Sequence, residues 1–258
     1  MSATAGIVDV NAWLGVWPFQ YFRDDTARKL ENRLEAEGIE QALVGNPEAA
    51  FNPDCAATNR LLTKRLSGRP RLRAIHAANP VLADWPDVVR SCRDQGGVAI
   101  RLFPGYHCYD LTGAPALELI EETARAGDLP LFIQMRMEDE RTHHPRCRIP
   151  GVSVDHIVEI SRRYPELRMA ALCPYFHEAV EITRETTNVF VDIAYVETLR
   201  TVTSLLSQAP QERVLFGSHT PFLTPSAAAM KLGALDVPEA ARRAIGSGNA
   251  RTLLGRLS

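Results

Sequence analysis

Short apolar runs alternate with amphipathic ones along almost the whole chain. Eight stretches read as strands: 7–11, 41–46, 72–79, 98–103, 129–137, 168–173, 189–195 and 214–219. Most are continuous apolar runs, as expected of parallel strands buried on both faces. Helical patterns lie between them at 24–37, 53–66, 85–95, 114–126, 155–164, 177–185, 197–208 and 225–232, and two more at 238–245 and 249–257 close the chain. In 24–37, Leu30 and Leu34 fall four residues apart on one face, and Gly38 follows as a stop. Gly96-Gly97, Gly127 and Pro165 end three others in the same way.

Eight strand–helix repeats predict a single-domain (β/α)8 TIM barrel over residues 1–258. A doubly wound open sheet shows the same alternation and commonly carries a glycine-rich phosphate turn after strand one. Here that turn reads Ala12-Trp13-Leu14-Gly15-Val16-Trp17-Pro18-Phe19, whose two tryptophans and proline cannot cradle a pyrophosphate. The longest irregular stretch, 138–153, follows strand five at the end of the barrel where active sites are built.

Side chains two apart on a strand face the same way. Asp9 and Asn11 therefore share a face, as do Arg101 and Phe103, and Gln134, Arg136 and Glu138. His219 ends the last strand, Cys173-Pro174 ends the sixth, and Asp192 sits on the seventh. Arg101 and Arg136 pointing into the upper barrel must meet carboxylates or an anionic ligand, because unpaired buried cations are costly.

Composition narrows the partner. The 258 residues carry a net charge of −2, which argues against nucleic acid. No run approaches the ~20 apolar residues of a membrane span. The first six residues lack the basic and apolar regions of a secretory signal. Five cysteines in no metal-binding spacing read as reduced thiols, and the expected compartment is cytoplasmic.

The segments Gly6-Ile7-Val8-Asp9-Val10-Asn11 and Val214-Leu215-Phe216-Gly217-Ser218-His219 resemble the first and last barrel strands of amidohydrolase-related metal-dependent hydrolases. Val98–Pro104, Asn188–Asp192 and the tail from Gly248-Asn249-Ala250 extend the resemblance over most of the chain. It implies the barrel fold and hydrolase or decarboxylase chemistry. Family members of this type are often dimers or higher, so a homo-oligomer is expected.

By position, Asp9 and Asn11 stand where the family's first two histidine ligands stand, and Gln134 where the strand-five histidine stands. Cys173 or Pro174 falls near the strand-six histidine, and His219 takes the place of the metal-binding aspartate. A divalent metal (iron, manganese or zinc) would then draw its ligands from Asp9, Asn11, Gln134, Glu138, His143, His144 and His219. His143 and His144 are adjacent and project differently, so at most one of them faces the site.

Three functions fit these residues. One is a hydrolase or lyase on a small, anionic carboxylated or carbonyl substrate. Asp9 or His219 would be its base, Arg136 or a metal would polarise the carbonyl, and Arg101, Trp17 and Tyr106 would bind the substrate. The second is an iron enzyme that activates oxygen. The third is a barrel that binds without catalysis.

Overall fold

The computed structural model describes residues 6–255, apart from the side chain of Cys147. Eight strands form one sheet, each parallel to its sequence neighbour: β1 (Ile7–Trp13), β2 (Ile39–Gly45), β3 (Leu72–Ala77), β4 (Gly97–Leu102), β5 (Leu131–Gln134), β6 (Met169–Leu172), β7 (Val189–Asp192) and β8 (Val214–Leu215). Helices follow them in turn: α1 (Ala27–Glu35), α2 (Cys55–Leu66), α3 (Trp85–Ser91), α4 (Ala114–Arg125), α5 (Val154–Arg163), α6 (Phe176–Glu185), α7 (Thr201–Leu206) and α8 (Pro225–Gly233). Helices α9 (Glu239–Arg243) and α10 (Asn249–Leu254) end the described chain. Residues 256 and 257 of the expected last helix lie outside it.

Local chemistry explains the element ends. The Thr26 hydroxyl accepts from Lys29 N and caps α1, whose Leu30 and Leu34 are buried against the sheet. The Asp54 carboxylate caps α2 through Ala57 N at 2.7 Å. Beyond Leu215 the backbone turns from β7 towards β1. Phe216 O accepts from Val10 N (3.0 Å) and Thr220 O from Trp13 N (2.8 Å), which closes the cylinder. The last strand is therefore shorter than 214–219, and His219 adopts a left-handed backbone, φ 56°.

Alternation along the strands stacks three layers inside the barrel. The lowest is apolar, with Leu43, Ile75, Ala99, Phe132, Phe190 and Leu215, and α10 joins it through Leu253 and Leu254. Two positions further along lie Arg101, Gln134 and Asp192, all buried. Above them Trp13, Trp17, Phe103 and Met137 form a second apolar cluster with Tyr106 and Phe222. A polar layer is thus enclosed between two apolar ones.

His76 of β3 faces α2 rather than the interior. Thr63 gives its hydroxyl proton to Gln95 O and so accepts from His76 Nε2 at 3.1 Å. Burial lowers the His76 pKa to about 4, against about 6.5 in an unfolded chain. A histidine depressed in this way contributes stability fully above pH 6.5 and loses it as pH falls towards 4. Stability should decline over that window by roughly 3 kcal/mol on account of this residue. His76→Gln should flatten the slope in urea titrations at pH 4–7. An unchanged slope would mean the imidazole is already charged in the fold.

Candidate active site

The polar layer gathers Asp9 and Asn11 from β1, Arg101 from β4, Gln134 from β5, Cys173 after β6, Asp192 from β7, and Ser218 and His219 after β8. All eight are buried. Asp9 accepts from the backbone of Asn11 (3.0 Å) and of Ser218 (3.0 Å), and from the Ser218 hydroxyl (2.5 Å). Asp192 accepts from Cys173 N (2.9 Å), Ala194 N (3.3 Å) and Asn11 Nδ2 (2.8 Å). Burial raises both carboxyl pKa values, that of Asp192 to about 6, although every one of these bonds opposes the rise.

His219 is equally engaged. Its Nε2 lies 2.7 Å from Met137 O, a pure acceptor, so Nε2 carries the proton. Nδ1 is then the acceptor, taking Trp13 Nε1–H at 3.0 Å and facing Cys173 Sγ at 3.3 Å. Phe222 stacks on the ring with centroids 4.6 Å apart. Desolvation lowers its pKa to about 3, so the imidazole is neutral.

Arg101 is the exception. It is 1% exposed, yet none of its three guanidinium nitrogens has a hydrogen-bond partner among the described residues. Its carbon sits 4.1 Å from the centroid of Trp13. Desolvation lowers its pKa to about 9, while Cys173, Asp192 and Asp9 hold the value up from a distance. Two acceptors in the same layer are also unmatched, Asn11 Oδ1 and Gln134 Oε1. Buried polar groups are nearly always paired, so three orphans in one layer mark a place for something that is not protein.

Arg136, expected as a carbonyl polariser, is not available for that role. It bonds Glu140 (2.9 Å), Glu178 (2.7 and 2.6 Å) and Cys173 O (2.5 Å) and stacks on Tyr175. β5 stops at Gln134, so the alternation that placed Arg136 beside it fails two residues later. The loop residues also stay out of the layer. Glu138 lies 3.7 Å from His143 Nε2, and exposed His144 accepts from Arg146 N. Trp17 and Tyr106 lie in the aromatic cluster above, where each stacks edge-on with Phe51 or Phe222. Ser218 was not marked by the sequence as a site residue, whereas Trp13, in the aromatic turn after strand one, was open to reading as a pocket wall. The period-two spacing Asp9, Asn11, Trp13 points the tryptophan to the same face.

The sequence matches the amidohydrolase family over residues 18–256. The chain belongs to the amidohydrolase family. Solved structures with the same fold include a 2,6-dihydroxybenzoate decarboxylase from Rhizobium, with TM-score 0.77 at 16% identity, covering 98% of this chain and 99% of that one. A 5-carboxyvanillate decarboxylase from Sphingomonas paucimobilis gives 0.78 at 13% identity, with 98% and 99% covered. A dihydroxybenzoic acid decarboxylase from Polaromonas, solved with bound manganese and 2-nitroresorcinol, gives 0.73 at 16% identity, with 96% of each chain covered. No curated relative matches the sequence. No helix of the described residues is long and apolar enough to cross a membrane.

The metal seen in such amidohydrolase structures can be tested against the donors present here. Among the described residues no three His, Cys, Asp or Glu side chains are grouped to hold an ion. Asp9 and Asp192 have given their oxygens to N–H and O–H donors, and His219 Nδ1 accepts from Trp13. The oxygens left without any partner are two neutral amides beside a buried guanidinium, a poor environment for a second cation. The ligand set expected from Asp9, Asn11, Gln134, Glu138, His143, His144 and His219 is not assembled, and the iron centre of the oxygen-activating reading is not assembled either.

Proposed function

We propose that this amidohydrolase-family protein is a lyase that removes carbon dioxide from a small carboxylated, planar substrate, and that Arg101 holds the carboxylate. One observation carries the reading: a fully buried guanidinium without a hydrogen-bond partner among the described residues, at the end of the barrel where this fold places its sites. A carboxylate matches its flat fork of donors. Trp13, Phe103 and Phe222 around the layer suit an aromatic ring, and the decarboxylase relatives act on carboxylated aromatic compounds.

Hydrolysis is less well supported. It requires a base to activate water, and the two expected bases are already engaged inside the protein, Asp9 accepting three hydrogen bonds and His219 Nδ1 accepting one. Loss of carbon dioxide requires that the carboxylate be oriented and its negative charge dispersed into an apolar surround, which Arg101 and the aromatic wall supply. A divalent ion like the manganese of the relatives has no cage in this donor set, so the positive charge comes from Arg101.

A barrel that binds such an anion without turnover is the second reading. The closed aromatic layer favours it, because the ligand enters only when Phe222 and its neighbours move. Incubation with 2,6-dihydroxybenzoate or 5-carboxyvanillate separates the two. The lyase should release carbon dioxide, and both ligands should raise the melting temperature of the wild type and leave Arg101→Gln unmoved. EDTA dialysis should alter neither result. If these carboxylates neither stabilise nor react, the reading is wrong.

A further inference from the structure

The geometry points to Cys173 as the proton donor to the carbon that loses its carboxylate, a role that rests on the lyase reading above. The sulfur is held in place by its own backbone. Cys173 N donates to Asp192 Oδ1 (2.9 Å), Cys173 O accepts from Arg136 (2.5 Å), and the residue takes a left-handed φ of 60°. Three side chains then converge on Sγ: Asn11 Nδ2 at 3.2 Å, Gln134 Nε2 at 3.3 Å and His219 Nδ1 at 3.3 Å.

The orientation of both amides is fixed by a second bond. Asn11 Nδ2 also donates to Asp192 Oδ2, and Gln134 Nε2 to Arg136 O. Each amide therefore turns N–H towards the sulfur and leaves its carbonyl oxygen without a partner. A thiol is a weak acceptor and has little use for two amide donors, whereas a thiolate uses both. In the resting layer, burial and the Asp192 charge keep the proton on sulfur. The site thus holds a protonated acid whose conjugate base already has its donors.

Charge balance gives Arg101 one partner at every stage. The substrate carboxylate first neutralises the guanidinium. The bond from ring carbon to carboxylate then breaks, and carbon dioxide leaves with no charge. The electron pair stays on the ring carbon, which takes the proton from Sγ. The S–H pair remains on sulfur as a thiolate, held by the two amides and by the field of Arg101, which couples to Cys173. Water returns the proton to the thiolate as the product departs, and the hydroxide left behind carries the negative charge out to solvent, where it combines with carbon dioxide as bicarbonate.

A carboxylated alkylating agent should therefore be delivered by Arg101 to this sulfur. Peptide mapping after brief treatment of the native protein should show Cys173 modified about tenfold faster by iodoacetate than by iodoacetamide, with the preference gone in R101Q. Equal or reversed rates in the wild type, or no reaction at Cys173 with either reagent, would overturn the placement. With 2,6-dihydroxybenzoate, Cys173→Ala should lower kcat about 100-fold at unchanged KM, and Cys173→Ser, which keeps a proton, should recover part of it. An alanine variant within about twofold of wild type refutes the donor role and leaves the lyase intact. A protein that shows the iodoacetate preference but releases no carbon dioxide from either carboxylate refutes the lyase, and the donor role falls with it.

Discussion

Arg101→Met is expected to unfold at a higher urea concentration than the wild type, while its melting temperature no longer responds to carboxylates. The native guanidinium is desolvated and donates no hydrogen bond to any of the described residues. Its contact with the Trp13 ring is worth up to about 2 kcal/mol, against an effective burial penalty of several kcal/mol. The charges of Asp9 and Asp192 offset part of that penalty from a distance. On removal of Arg101, Asp192, whose pKa is already about 6, can take up a proton and limit the loss. Replacing a buried ion with an apolar side chain of similar length should then add about 1–4 kcal/mol. Equilibrium urea denaturation at pH 7 measures it. A variant less stable than wild type would show that the guanidinium already has a partner in solution, and the anion site would have to be given up. A residue that destabilises the empty fold yet is needed for the ligand is what a working site looks like, since function and stability pull such positions in opposite directions.

The barrel was legible because its signal repeats eight times and each repeat is buried on both faces. The amidohydrolase resemblance then named the frame that the eight-stranded parallel sheet and the family match both support. Arg101 was legible for a simple reason: β4 stays regular through Leu102, so counting by twos places its side chain inward. The same count failed at Arg136 because β5 ends at Gln134. His219 was rightly placed at the barrel end, but its role depends on Trp13 and Met137, which lie 206 and 82 residues away. Local pattern cannot reveal which nitrogen such distant partners leave with a proton. Asn11 and Gln134 show the same limit. Their positions follow from the strands, while the direction of each amide is set by Asp192 and by a backbone carbonyl. The loop histidines illustrate the converse: His143 and His144 have the residue type of ligands, but nothing in the spacing ties 138–153 to the barrel axis. The tether is Arg136, through Glu140, together with the bond from Tyr175 to Asp139.

That tether gives the second large expected effect. Arg136→Met should lower stability by about 3–5 kcal/mol, the opposite sign from Arg101→Met, although both arginines are buried, one on β4 and the other just beyond the end of β5. The difference lies in what is left behind. Arg136 binds Glu178 through two nitrogens and Glu140 through a third, and Glu178 in turn accepts from Tyr175 N at the start of α6. Both carboxylates are 14% exposed, so removal of the guanidinium strands two mostly buried negative charges close together. It also takes away the donor to Cys173 O and the cation stacked 3.8 Å from the Tyr175 ring centroid. Urea denaturation of Arg136→Met at pH 7 tests the expected loss. If the variant is as stable as wild type at pH 7, the ion pairs are not formed in solution and the 138–153 loop is not held over β5 by this residue.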